Sequence, residues 1–285
     1  MFEQVSRRAV VAGLLLLVPA AATPLPDAPI LPPELRDLWP GRRTAVSRGG
    51  RATVVAPATV AAPANVVAPA TARREPLDEL ARGADAAGAR VSAVLGRPVR
   101  PLIVLPESDR DAARLAGAAR LDGLAAVADG GRVIVVPEAF ATLSRIGRDV
   151  VLTHELTHVV AGTEGLPVWL YEGFADYVGY RDAGLPVKTA AAELAAEVRA
   201  GRLPNALPGP AAFAADGRDP DRLARAYQEA WLACRFLADR FGEGTLVWLY
   251  RAARARGVDQ ALASLGLSVA ILTARWRAYV RDQLG

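Results

Sequence analysis

Histidine occurs only twice in this chain, at positions 154 and 158, and Glu155 directly follows the first, in the run VLTHELTHVV (151–160). On a helix, a spacing of four puts both imidazoles on one face, one turn apart, where they can converge on a single divalent ion. A glutamate beside such a pair can accept a proton from water, so H-E-x-x-H is the pattern of metal-assisted hydrolysis. Zinc bound through nitrogen takes about four ligands, and a catalytic zinc reserves one position for water, which leaves one protein ligand to find. The chain holds no third histidine, and its one cysteine, Cys234, lacks the paired spacing of a thiolate site. The missing ligand must be a carboxylate. The competing reading is a plain helix that carries two histidines.

A carboxylate comes from the next helical stretch, LPVWLYEGFADYVGY (166–180), where Trp169, Leu170, Phe174, Tyr177 and Val178 form an apolar surface and Pro167 stands near the start. Glu172 and Asp176 lie four apart there, so one turn separates a metal ligand from an acceptor that would fix the angle and tautomer of a ligating histidine. Two acids in an otherwise apolar helix are costly to bury without partners, and a metal and an imidazole N–H would satisfy both. The linking segment VVAGTEGLP (159–167) is short and glycine-containing, as suits a turn between two packed helices.

HELTH, followed after residues 159–171 by the glutamate of YEGFAD, resembles the gluzincin branch of the zinc peptidases, and within it the secreted peptidase-MA-like proteins. The resemblance implies one zinc ion with His154, His158 and Glu172 as ligands, Glu155 as general base, and Asp176 as the group that orients a ligating histidine. The segment RLARAYQEAWLACRFLADRFG (222–242) looks like the helix that delivers the catalytic tyrosine in aminopeptidase-like members, and Tyr227 is the matching position. Tyr227 also shares a helical stripe with Leu223, Trp231, Cys234, Leu237 and Phe241, so oxyanion stabilisation and core packing both fit it. Cys234 on that stripe reads as an inert buried thiol. The Gly-x-Met-Glu-Asn segment by which aminopeptidase-like members grip a free amino terminus is missing, which leaves an aminopeptidase reading unsupported.

The elements that must position these residues begin beyond Pro76. LDELARGADAAGARVSAVLG (77–96) has helical periodicity, VRPLIVLP (99–106) and GRVIVVP (131–137) are β-branched runs bounded by Pro and Gly, and everything after residue 147 reads as helix. Strands first and helices afterwards predict an α+β, zincin-like domain over 76–285: a small mixed sheet on the active-site helix, with a mainly helical C-terminal part. The region DGLAAVADGGRVIVVP (122–137) is expected to offer an edge strand to an extended peptide. Trp248, Leu249, Trp276 and Tyr279 of the C-terminal helices are expected in the core, with the neighbouring arginines on solvated faces.

Residues 1–22 carry a basic pair, Arg7-Arg8, an apolar run from Ala9 to Val18, and small residues at 20–22, the anatomy of a signal peptide. Residues 23–75 are rich in Pro and Ala, with the loose repeat VAPATV, AAPANV, VAPATA, and read as a linker or stalk in which 51–57 could form a first strand. The expected location is therefore secreted or extracellular, with the membrane involved only through an uncleaved N-terminal segment. The net charge of +4 rests on dispersed arginines with no interleaved aromatics, so nucleic acid is not an expected partner and a peptide or protein substrate is. An intramembrane metalloprotease is excluded, because Arg148, Asp149 and Glu164 bracket a run far shorter than the ~20 residues of a spanning helix. The other class that stays open is a zinc-binding extracellular scaffold or adhesion module without catalysis. Glu155 speaks against it, because a structural site has no use for a base.

Overall fold

The computed structural model describes residue 38 and residues 44–57, 75–214 and 220–285. The segment read as a signal peptide and most of the span read as a stalk lie outside the described residues. The chain has the α+β character expected, and it divides into two compact units. Among the described residues, one unit takes in those up to Ser92 with Arg97–Val160, and the other takes in Ala93–Gly96 with those from Ala161 onward.

The first unit holds a five-stranded mixed sheet of β1 (Thr44–Arg48), β2 (Thr53–Pro57), β3 (Leu102–Val104), β4 (Ala126–Asp129) and β5 (Arg132–Val135), in the order β1-β2-β3-β5-β4. The pairs at either side are antiparallel, and the two inner pairings, β2–β3 and β3–β5, are parallel. Two of the five strands thus lie within 23–75: β2 falls in the 51–57 stretch expected as a possible first strand, and β1 precedes it. Val54, Val55 and Ala56 are fully buried, and Val54 and Val55 pair with Ile103 and Val104 of β3, so this stretch has the apolar area that the Pro/Ala repeat around it lacks.

Val55, Val104 and Ile134 point to one face of the sheet and pack on Ala112, Ala113 and Ala116 at helix α2 (Asp109–Leu115). Ser108 caps α2 by accepting from the Asp111 N–H, and Asp109 and Asp111 lie in its first turn, where the helix dipole favours them. Helix α1 (Glu75–Leu95) is tied to the β1–β2 loop by Asp85, whose carboxylate accepts from the N–H groups of Gly50, Arg51 and Ala52. After the short α3 (Pro137–Ala141), α4 (Arg145–Ala161) closes this unit.

The second unit is helical: α5 (Val168–Tyr180), α6 (Val187–Ala190), α7 (Ala192–Arg199), a 3-10 turn (Pro210–Phe213), α8 (Pro220–Phe241), α9 (Glu243–Arg256), α10 (Val258–Ala263) and α11 (Val269–Leu284). Leu249 and Trp276 are buried as expected, and Tyr279 is half-buried with its hydroxyl on Asp239. Trp248 departs from expectation: it is 40% exposed, with the Arg256 guanidinium over its ring. The buried stripe of α9 runs through Leu246, Val247, Leu249, Tyr250 and Ala253, and residue 248 falls outside it. Among the described residues no helix is long and apolar enough to cross a membrane.

Candidate metal centre

Helix α4 starts on Ser144, whose hydroxyl accepts from the Gly147 N–H, and is followed by Gly162 at φ +68°, a backbone that glycine adopts without strain. Its two threonines return their hydroxyls to the preceding turn, Thr153 to Asp149 O and Thr157 to Thr153 O, so neither leaves a buried polar atom unsatisfied. Arg90 of α1 reaches the same turn, donating to Thr153 Oγ1 and pairing with Asp149 at 3.7 Å. This helix carries His154, Glu155 and His158, all at most 5% exposed.

The one-turn spacing brings the histidine Nε2 atoms to 2.9 Å, with the rings edge to face. Glu172 belongs to the second turn of α5 and is 2% exposed. His154, His158 and Glu172 each offer one ligand atom, and these atoms lie within 4.8 Å of one another. Ligands on a tetrahedral zinc at about 2.0–2.1 Å stand roughly 3.3 Å apart, a spacing of the same order as these separations. The donor set is two imidazole nitrogens and one carboxylate oxygen, which suits zinc. Buried charge favours the same conclusion: carboxylates are stable in an interior when paired or metal-bound, and a divalent cation supplies that compensation. The three residues therefore fit a single ion.

Glu155 is held from the other side. The Ala128 N–H, on the outermost strand β4, donates to Glu155 Oε2 at 2.8 Å. The 122–137 region is legible as an edge strand, but its bond to Glu155 is not, because nothing in the local pattern couples positions separated by 27 residues.

On α5 nearly every residue is buried, including Gly173 and Asp176 beside the ligand turn. Asp176 is 5% exposed, and its charge reaches Tyr180 and Cys234. Burial first, and Asp176 second, push both of those groups well above their ordinary pKa, which keeps Cys234 a neutral thiol. Tyr171 is pushed up to about 12, by burial and then by the Glu172 charge. Tyr227 is 4% exposed on α8 and stands edge to face with Phe213 at 4.9 Å. The chain matches no protein-family model and no curated protein.

Proposed function

We propose that this protein is a secreted zinc metallopeptidase of the gluzincin type that hydrolyses peptide bonds with metal-activated water. The observation that carries the proposal is the convergence of buried His154, His158 and Glu172, with Glu155 next in the chain to a ligating histidine. Zinc held there supplies a Lewis acid that polarises a carbonyl and brings the pKa of a coordinated water toward 7.

The remaining chemistry belongs to the chain. Glu155 accepts the proton of the attacking water and passes it to the departing amine. Its bond to Ala128 supports this role, since it stands the carboxylate against the edge strand on which an extended substrate would lie. Asp176 accepts from an imidazole N–H and holds that ring in its ligating tautomer. Tyr227 donates to the carbonyl oxygen as negative charge gathers on it. The basic, apolar and small-residue order of residues 1–22 supports export.

The test uses the purified chain, metal analysis and a peptide library. Glu155→Gln keeps one equivalent of zinc and loses hydrolysis, and His158→Ala loses the zinc itself. Retained hydrolysis in Glu155→Gln removes the assignment of the base. Zinc binding without hydrolysis in the wild type favours a non-catalytic scaffold instead.

A further inference from the structure

Between His158 and Glu172 the chain must leave α4, turn, and enter α5 at the correct angle. Within the link Gly162 and Gly165 both have positive φ, Leu166 N–H donates to Thr163 O at 3.2 Å, and the Glu164 carboxylate accepts from the backbone N–H groups of Thr163 and Glu164. Side chains of α9 hold the same segment from outside it. Arg254 donates through Nη1 to Ala161 O at 2.5 Å and through Nη2 to Glu164 at 2.6 Å. Tyr250 donates its hydroxyl to Gly162 O at 2.5 Å.

Tyr250 also does a second thing. Its ring lies on Phe174, with centroids 4.4 Å apart, and Phe174 is two residues beyond Glu172 on α5. One side chain, 2% exposed, therefore touches both the start of the link and the helical turn that carries the carboxylate. Gly162 is shaped to the same contact, because a Cβ there would come within 2.8 Å of Arg254 Nη2 and of Glu164 Oε2. Burial keeps the Tyr250 phenol protonated, so it remains a donor.

We infer that Tyr250 and Arg254 are positioning residues for the metal centre: they clamp residues 161–164 and thereby hold Glu172 where it serves as the third ligand. This rests on the metal-site reading above. It adds that the affinity and geometry of the site are set by side chains on α9 that do not ligate the ion. Groups that orient ligands from outside the coordination sphere are worth about 10–100-fold in metal affinity, which sets the scale of the effect.

The experiment compares the wild type with Tyr250→Phe, Arg254→Ala, Arg254→Lys and Leu272→Ala. Leu272 is fully buried in α11 and controls for loss of stability alone. Zinc affinity is measured by competition with a chromophoric chelator at a temperature where each metal-free protein is folded by circular dichroism. The cobalt(II)-substituted forms report ligand geometry through their visible absorption. Tyr250→Phe and Arg254→Ala are expected to bind zinc at least about tenfold more weakly, with altered cobalt spectra. Arg254→Lys is expected to fall between Arg254→Ala and the wild type, because an ammonium cannot fork to Ala161 and Glu164 as a guanidinium does. Leu272→Ala should lose stability and keep both metal readouts. Wild-type affinity and spectrum in both Tyr250→Phe and Arg254→Ala overturn the clamp. If Tyr250→Phe does not fold, the partly exposed Arg254 variants decide the question. A wild type that binds no zinc overturns the metal site itself and is a separate result.

Discussion

Replacing Gly173 with alanine tests the packing that carries Glu172, the proposed third ligand. A Cβ at this position would stand 2.1 Å from Ala230 O, 2.5 Å from Ala230 C and 3.0 Å from Cys234 Sγ. Carbon and oxygen ordinarily approach to about 3.3 Å, so α5 and α8 would have to part locally by more than ~1 Å. The obstruction is mainly backbone, which cannot rotate aside as a side chain can. A gap of ~0.5–1 Å forfeits a quarter to a half of each dispersion contact across it, and overpacking in cores costs about 1–3 kcal/mol, occasionally more. Alanine returns about 1 kcal/mol through its better helix propensity. Taking the upper end for a backbone clash, the net loss is roughly 2 kcal/mol. Glu172 is the adjacent residue and moves with the backbone, so zinc affinity should fall by about tenfold as well. Urea unfolding of the chelated protein measures the first effect, and zinc titration of the folded protein measures the second. Gly83→Ala is the control, since its Cβ would meet Leu152 Cδ1 at an ordinary 3.5 Å and should gain the propensity term without the clash. A Gly173→Ala protein as stable as the wild type, with unchanged zinc affinity, would refute the close approach of the two helices.

Two further outcomes follow from α8. Burial raises the Glu229 carboxyl to about 7, against a smaller lowering by Arg225. Its native pKa lies above its unfolded value, so its contribution to stability is complete below the unfolded pKa near 4.5 and is lost as pH rises through about 7. Glu229→Gln should flatten the decline of stability over this window and gain roughly 1–3 kcal/mol at pH 8, read by urea denaturation at several pH values. Parallel profiles for the two proteins would show that the carboxyl is ordinarily solvated. Tyr227→Phe should lower kcat on the order of 100-fold while leaving KM and zinc content in place, as loss of an oxyanion donor does. Unchanged kcat assigns Tyr227 to the core with Phe213.

The juxtaposition of His154 and His158 was decided by the sequence, because 3.6 residues per turn relates those positions whatever surrounds the helix. The same local rule marked α5 as an apolar helix holding two acids, one turn apart, and marked the β-branched runs as strands. It failed where neighbours in space are distant in the chain. Strand β1 lies within a Pro/Ala-rich span, where the Gly49-Gly50 pair between TAVSR and TVVAP is its one local turn signal, and its pairing with β2 is what makes it a strand. The exposure of Trp248 depended on which face of α9 the rest of the unit covers. The bond from Ala128 to Glu155, the seat of Gly173 on Ala230, and the reach of Tyr250 to Gly162 were decided by tertiary structure alone. A backbone N–H, a missing Cβ and a phenol hydroxyl carry no periodic signature, and their partners are chosen by how whole helices and strands pack.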